Sequence, residues 1–197
     1  MLDYVIENEE HANGHTVICG VDEAGRGCLC GPVCAAAVIL PDGYNNKYLN
    51  DSKKLSPKRR EQMFDEITQN AVSYAVAFAT VEEIEQLNIL NAAMLAMRRA
   101  VKALSVKVDL ALVDGNIARD FECETRTVVK GDSISPSIAA ASILAKVSRD
   151  RLITELAIQY PQYKFEQHKG YATKAHIEAI RTYGVTPVHR PSFLKKI

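Results

Sequence analysis

The sequence has no long apolar run and no net charge, and each absence excludes a class of protein. Its 197 residues carry 24 basic and 24 acidic side chains, so any polyanion would have to be bound by local basic clusters. No apolar stretch approaches the roughly 20 residues of a membrane-spanning helix. The first residues, MLDYVIENEE, lack the basic and apolar regions of a signal peptide. We therefore expect a cytoplasmic protein without a membrane partner.

Cysteine is scarce and odd in number, which argues against a disulfide framework. Five cysteines in a chain without secretory signals predict reduced thiols. Cys28, Cys30 and Cys34 are spaced closely enough to suggest a zinc site. However, this stretch is apolar, has no second paired set and has no histidine nearby, so we favour packing in the core over metal binding.

Hydrophobic patterning places strands first and alternating helices and strands later. The apolar fraction of 47% and the charged fraction of 24% are those of a folded domain. Predicted strands cover 17–22, 33–40, 72–80, 109–113 and 127–129. Predicted helices begin at Pro57 after the N-cap Ser56, cover 81–105 in two segments, run from about Pro136 to Tyr160, and cover 173–183.

This element order predicts an α/β fold around a mixed central sheet flanked by helices. The first three strands would pair antiparallel and the later ones parallel. The small-residue run SIAAASILAK would let the long helix lie close against the sheet. We expect a single domain over residues 1–197, with about 161–197 forming a small C-terminal helical appendage.

Two adjacent acids follow the first strand, where residues 20–27 read GVDEAGRG. The carboxylates of Asp22 and Glu23 repel each other, so something must offset that cost. Asp114 ends a later strand, and Asp132 lies between a short strand and the long helix. Taken alone, Asp114 or Asp132 is more typical of a turn or helix cap. Only the combination favours a functional site.

Strand ends are where functional groups converge in α/β sheets, so these four acids are candidates for one cleft. Four carboxylates in one cleft would repel strongly unless cations occupied it. Oxygen ligands without local His or Cys suit Mg²⁺ or Mn²⁺. Two such ions, about 3.5–4 Å apart, can hold the attacking and leaving oxygens of a phosphodiester. The acids therefore predict a metal-dependent phosphodiesterase site.

Several longer motifs follow one another in order along the chain. They are GVDEAGRG followed by GPV, then DSKKLS, LVDGN, KGDSISPSIAAASILAKVSRD and FEQHKGYAT. Over roughly residues 17–193 they resemble the ordered motif set of the type 2 ribonucleases H, specifically bacterial ribonuclease HII. The resemblance implies the RNase H-like fold, cleavage of RNA in RNA–DNA hybrids, and incision beside single ribonucleotides in duplex DNA. It also implies that Asp22, Glu23, Asp114 and Asp132 are the metal-binding, catalytic acids.

The resemblance further implies which residues contact the substrate. Gly25, Arg26 and Gly27 correspond to the segment that approaches the ribonucleotide at the junction, where backbone groups can read the 2′-OH. Tyr171 corresponds to the tyrosine that stacks on the neighbouring sugar. The position after this segment is commonly proline in relatives, whereas here it is Cys28. That difference suggests a less rigid turn with an oxidisable thiol near the site.

Basic residues and partners complete the prediction. Charge runs are usually solvated faces, but a neutral protein that holds a polyanion needs cations, so Lys53, Lys54 and Lys169 are predicted to contact phosphates. The expected partners are RNA–DNA hybrids and ribonucleotide-containing DNA, with a replication clamp as a candidate for the C-terminal tail. The C-terminal appendage is expected to contact substrate, and a monomer is expected because no long apolar stripe is left over.

Four other functions were compared with this one. A type HIII relative usually carries an N-terminal extension, whereas only about 16 residues precede the first predicted strand here. A DNA-only resolvase or recombinase has no use for a 2′-OH reader. A catalytically silent binding module or clamp adaptor would not need four intact acids. A nucleotide enzyme is disfavoured because no G-x-G-x-x-G or GK[ST] loop opens a helix.

Overall fold

The computed structural model describes residues 2–49, 52 and 55–195. Its strands are β1 (Ile18–Ala24), β2 (Val33–Ile39), β3 (Ser73–Ala79), β4 (Leu110–Asp114) and β5 (Glu124–Val128). Its α-helices are α1 (Val5–Ala12), α2 (Pro57–Asn70), α3 (Val81–Leu87), α4 (Ile89–Lys102), α5 (Pro136–Gln159), α6 (Phe165–His168), α7 (Lys174–Tyr183) and α8 (Pro191–Leu194). A 3₁₀ turn, Gly131–Ser133, precedes α5.

The five strands form one mixed sheet in the order β3-β2-β1-β4-β5. β1 pairs antiparallel with β2, and β2 pairs antiparallel with β3. β1 and β4 pair parallel, as do β4 and β5. This confirms the predicted α/β fold and its division into antiparallel and parallel halves. β1 lies at the centre, where both kinds of pairing meet.

Helices cover both faces of the sheet. On one face α4 packs on Val21, Val33 and Val113, and on the other the small residues of α5 pack on β1 and β2. A Cβ at Gly20 would overlap the backbone of Ser137, so glycine is what lets α5 cross β1 so closely. The small-residue run of α5 has the role that its sequence predicted.

The C-terminal helices pack against the β1–β2 connection and the second half of α5. A cluster of apolar side chains joins these parts; it contains Leu29, Cys30, Ile153, Tyr163 and Phe165. Two isolated antiparallel bridges, Cys28–Tyr171 and Cys30–His189, also tie the connection to the C-terminal segments. The segment predicted as an appendage is therefore hydrogen-bonded to the loop that follows β1.

Several elements differ from the sequence prediction, and the short helices α6 and α8 are among those that it did not include. Helix α1 was not predicted, because its sequence VIENEEHA has little apolar periodicity and its buried residues include Glu7 and Glu10. β5 begins at Glu124 rather than 127, because its ladder with β4 starts where Leu110 pairs with Glu124. Within the described ranges, no helix has the length and apolar character needed to cross a membrane.

A candidate acidic active site

Asp22 and Asp114 lie side by side on neighbouring strands. Val21 and Val113 are paired residues of parallel β1 and β4, and each acid is the next residue on its strand. Adjacent strands lie about 4.8 Å apart, so the two carboxyl groups are neighbours at one sheet edge. Burial raises the pKa of Asp22 well above its ordinary value, and the charges of Glu23 and Asp114 raise it further. The predicted convergence of these three acids is present.

The negative charge of Glu23 is partly compensated by Arg26, three residues later. Arg26 Nη1 donates a hydrogen bond of 3.0 Å to Glu23 Oε1, while the rest of Arg26 is half-exposed. Burial raises the pKa of Glu23, the Arg26 contact opposes that rise, and the charge of Asp114 adds to it. In this structure Arg26 is thus the cation that offsets the second of the two adjacent acids.

Asp132 is brought to the same edge by a backbone contact. It lies in the buried 3₁₀ turn before α5, which follows Lys130 in the left-handed conformation (φ +57°). The backbone N–H of Gly131 donates to Asp114 Oδ1 at 2.7 Å. This bond orients the Asp114 carboxylate and connects β4 to the turn that carries Asp132.

The acids do not form a closed coordination shell by themselves. In the part of the chain that the structure describes, no group of three or more His, Cys, Asp or Glu side chains could hold a metal ion on its own. The donor chemistry nevertheless suits a hard cation, because all four side chains offer oxygen. Water and phosphate oxygens would have to complete any such shell.

Two serines that the sequence prediction missed support Asp22. The Ser142 side chain on α5 hydrogen-bonds Asp22, and its hydroxyl lies 3.0 Å from that of Ser52. Asp22 Oδ1 also accepts from the backbone N–H of Glu23 at 2.7 Å. Both serines are buried. The sequence feature that could have pointed to Ser142 is that it is a serine within an otherwise apolar stretch of α5.

The loop of residues 25–32 is held by two fully buried arginines, Arg149 of α5 and Arg190. Arg149 donates through Nε, Nη1 and Nη2, and its acceptors are the carbonyl oxygens of Pro32 (3.3 Å), Lys169 (2.9 Å) and Cys30 (3.1 Å). Arg190 donates to those of Gly31 (2.8 Å), Arg26 (3.1 Å) and Cys28 (2.9 Å). Arginine is usually exposed, so sequence reasoning did not assign these roles.

The predicted substrate residues meet on this loop. Gly25 has φ +96°, and a Cβ there would overlap Arg149 Nε. Gly27 lies in open space, because a Cβ there would meet nothing within 4 Å. Tyr171 is 41% exposed and is bridged to the loop at Cys28, and Lys146 Nζ lies 5.3 Å from its ring centroid. The structure therefore brings the Gly25–Gly27 segment and Tyr171 together.

The predicted basic contacts are described only in part. Lys53 and Lys54 lie outside the described residues. Lys169 has a left-handed backbone (φ +49°), and its Nζ donates to Thr154 Oγ1 at 2.7 Å. Phosphate contact by these three lysines stays a prediction.

The cysteines are packing residues. Cys28, Cys30 and Cys34 are fully buried in the core, which is the role that we favoured. Burial raises the pKa of the Cys28 thiol and raises that of Cys30 to about 12. The suggestion of an oxidisable thiol at Cys28 was wrong, because thiolate character and exposure, which oxidation requires, are both low here.

Three buried histidines form a further network that sequence reasoning missed. His176 Nδ1 lies 3.0 Å from the carbonyl oxygen of Tyr171, so that nitrogen donates. His189 Nδ1 accepts from Thr186 N, so its Nε2 donates to His176 Nε2 at 3.2 Å. The ring of His168 stacks on that of His176 with centroids 4.3 Å apart. Burial lowers the pKa of His176 to about 4.

A mixed sheet with neighbouring acids on β1 and β4 and helices on both faces defines an RNase H-like nuclease. The chain is similar to ribonuclease H2 from Pyrococcus horikoshii OT3 (TM-score 0.74, 26% identity, covering 90% of this chain and 93% of that one). It is equally similar to ribonuclease HII of Archaeoglobus fulgidus, solved as a PCNA complex (TM-score 0.74, 26% identity, covering 89% and 94%). Bst-RNase HIII, solved with Mn²⁺, shares the fold (TM-score 0.60, 18% identity, covering 88% and 65%).

Sequence comparison narrows this class to one family. The family model described as Ribonuclease HII matches residues 19–196. Ribonuclease HII of Caldicellulosiruptor saccharolyticus is 50% identical over 194 residues, which cover 98% of this chain and 95% of that protein. That of Marinomonas sp. is 55% identical over 184 residues, covering 92% of each chain. The chain belongs to the ribonuclease HII family, and it is a ribonuclease H, an endonuclease of the hydrolase class.

Proposed function

We propose that the enzyme hydrolyses the RNA strand of RNA–DNA hybrids and incises on the 5′ side of single ribonucleotides in duplex DNA. The products would carry 5′-phosphate and 3′-hydroxyl ends. The observation that carries this proposal is the juxtaposition of the acidic edge with the Gly25–Gly27 segment. Glu23 and Arg26 are in direct contact, so the acids and the segment that would read the ribonucleotide form one surface.

We propose that Asp22, Glu23, Asp114 and Asp132 hold two divalent cations, Mg²⁺ or Mn²⁺. Their fit rests on the all-oxygen donor set and on the raised pKa of Asp22 and Glu23. Burial is the largest cause of that rise and the neighbouring carboxylates add to it, so bound cations would relieve the repulsion among the acids. When bound, such ions would lower the pKa of an attacking water and stabilise charge on the leaving 3′-oxygen.

The chain itself contributes orientation. Asp22 is held by Ser142 and by the N–H of Glu23, and Asp114 is held by the N–H of Gly131. Carboxylates fixed before substrate arrives need little reorganisation during the reaction. Arg26 contacts Glu23 and helps to keep it in place, and its half-exposed guanidinium would contact the backbone of a substrate strand.

Discrimination of RNA from DNA would depend on Gly27 and Tyr171. Nothing inside the protein requires glycine at position 27, since no described atom lies within 4 Å of a Cβ built there and its φ is not in the left-handed region. A ligand that needs close backbone approach would explain this glycine, and a 2′-OH is such a ligand. Tyr171, which is 41% exposed, would stack on the sugar beside the junction.

Further contacts are proposed on the same basis. Lys53, Lys54 and Lys169 would neutralise phosphates, and the C-terminal segment that carries Tyr171 would contact the duplex. A replication clamp is a candidate partner, because the similar Archaeoglobus protein was solved in complex with PCNA.

A cleavage assay on three end-labelled duplexes tests the proposal. All-DNA, DNA with one ribonucleotide and an RNA–DNA hybrid would each be incubated with EDTA, Mg²⁺ or Mn²⁺, with Asp22→Asn as the inactive control. We expect metal-dependent incision on the 5′ side of the ribonucleotide, lost in the control. Cleavage of the long hybrid alone would contradict the single-ribonucleotide specificity. Binding without cleavage on every duplex would overturn the proposed function.

A further inference from the structure

Helix α1 contacts the chain on both sides of the turn that carries Asp132. We call residues 129–134 the Asp132 loop; it joins β5 to the Ser135 N-cap of α5. The apolar members of this loop, Val129 and Ile134, are 63% and 44% exposed, so they do not anchor it in the core. The position of the loop therefore depends strongly on what holds its two ends.

After the loop, Glu7 of α1 caps the start of α5. Its Oε1 accepts hydrogen bonds from Ser135 Oγ (2.6 Å), Ser137 Oγ (2.6 Å) and the backbone N–H of Ser137 (3.2 Å). Ser135 itself accepts from the backbone N–H of Ile138. Glu7 is 3% exposed, and an acidic group at a helix N-terminus is favoured by the helix dipole. A residue from another helix thus satisfies donors of the first turn of α5.

Before the loop, the same helix is paired with β5. Arg126 Nη1 donates to Glu9 Oε2 at 2.8 Å and to Glu10 Oε1 at 2.6 Å. Glu10, which is buried, also contacts His15, whose other ring nitrogen lies 3.0 Å from Glu124 Oε2. Three acids of α1 therefore hold β5 and the N-terminus of α5 relative to each other.

We propose that α1 sets the position of the Asp132 loop and that Glu7 is a positioning residue for Asp132. The loop is itself connected to the active site, because Gly131 N–H donates to Asp114 Oδ1 and Ser135 N–H donates to the Gly131 carbonyl at 2.8 Å. A shift of Ser135 would thus be passed to Gly131, Asp132 and Asp114. The consequence for metal binding rests on the function proposed above.

Metal binding and hydrogen exchange of the full chain test this proposal. Glu7→Ala removes the cap, Glu7→Gln keeps an oxygen acceptor, and Asn8→Ala is the control at an exposed neighbour on the same helix. In Glu7→Ala we expect about tenfold weaker Mn²⁺ binding by calorimetry on the free protein, as for other residues that orient metal ligands. We also expect faster exchange of the Gly131 and Ser135 amides. In Glu7→Gln we expect Mn²⁺ affinity and amide exchange close to those of the wild type.

Kinetics separate positioning from a general loss of structure. We expect kcat of Glu7→Ala to fall about tenfold at limiting metal and to recover at high metal, with KM for the duplex unchanged. If Glu7→Ala does not fold, Ser137→Ala, which removes one donor to Glu7, should show the same changes at smaller size. Wild-type metal binding and exchange in a folded Glu7→Ala would overturn the proposal. A wild type that cuts no duplex would instead contradict the proposed function, while the exchange result would stand.

Discussion

The molecule contains a buried pair of arginines and a buried group of acids. The two groups differ in how fully hydrogen bonds compensate their charges. Arg149 and Arg190 lie close enough that the charge of Arg149, after the larger effect of burial, helps to lower the pKa of Arg190 to about 10. Six backbone carbonyl oxygens accept from their guanidinium groups. The arginines are thus held within the protein, and with a pKa of about 10 Arg190 remains charged at neutral pH.

The acids at the sheet edge have fewer compensating groups. Asp22 has the Ser142 side chain and one N–H, and Glu23 has Arg26, yet the pKa of each is raised. A buried charge that is hydrogen-bonded stabilises the loop around it, whereas a buried charge that repels its neighbours is a cost to folding. The comparison indicates that the arginines serve the structure, and it supports the proposal that the acids bind added cations.

Asp22→Asn tests this comparison with the largest expected effect. Asn keeps an oxygen for the N–H of Glu23 but removes one repelling charge. We expect cleavage to fall about 10³-fold, measured under single turnover. In EDTA we expect the unfolding free energy to rise by about 1–2 kcal/mol, measured in urea. Asp65→Asn, at an exposed acid of α2, should change neither. A destabilised Asp22→Asn would contradict the view that the acids repel one another.

Arg149→Met tests the other cluster. The substitution leaves the carbonyl groups of Pro32, Lys169 and Cys30 without their donor, so we expect a loss of roughly 3–5 kcal/mol in unfolding free energy. Thermal and urea denaturation would measure it, beside Arg119→Met at an exposed arginine as the control. In protein that remains folded, KM for the ribonucleotide duplex should rise. Arg149 holds both the loop of residues 25–32 and the backbone at Lys169, close to Tyr171, so the proposed substrate-binding segments would lose a common support. A loss no larger than that of the control would mean that the arginine is not structural.

The buried histidine His176 and the buried acid Asp22 should change the stability of the fold in opposite directions as the pH falls. The pKa of His176 is about 4 in the fold, below its ordinary 6.5, so its stabilising contribution is complete above pH 6.5 and is lost as the pH falls toward 4. The expected loss is roughly 2–3 kcal/mol. The raised pKa of Asp22 acts oppositely, since its proton uptake on acidification favours the fold. Urea denaturation of wild type and His176→Asn at several pH values would measure this; identical slopes would contradict it.

Alanine at the two glycines beside Arg26 should have different effects. Gly25→Ala forces a side chain onto Arg149 at a left-handed φ, so we expect about 2 kcal/mol of destabilisation. Gly27→Ala has open space and should leave the unfolding midpoint unchanged. If Gly27 approaches substrate, that variant should raise KM for the single-ribonucleotide duplex. Unchanged kinetics in Gly27→Ala would remove it from the substrate surface.

Much of the fold was readable from sequence because its signals are local. The helix that starts at Pro57 has its predicted cap, since Ser56 accepts from Arg59 N–H. α5 runs from Pro136 to Gln159, as its small-residue run and the following Pro161 predicted. The four acids became candidates because each lies at or just after a predicted strand. By contrast, α1 has a polar sequence, and contacts with residues more than a hundred positions away account for its burial.

The site was predicted less completely than the fold. For Ser142 the sequence offers only a serine within an apolar stretch, and Arg149 and the histidine network carry no sequence signal of their own, because arginine is mostly exposed and histidine is intermediate in burial. Their roles depend on which carbonyl and carboxyl groups the tertiary structure places beside them. Lys53 and Lys54 lie outside the described residues, so their predicted role is unchanged.

The sequence by itself determined the order and type of most elements, the mixed sheet and the family, and it singled out the four candidate acids, because periodicity, turn residues and motifs act over short distances. Only the tertiary structure decided that Arg26 pairs with Glu23, that two buried arginines hold the loop of residues 25–32, and that Glu7 caps α5. These contacts join residues brought together by chain reversal and packing, and their energies depend on burial, which the order of residues does not state.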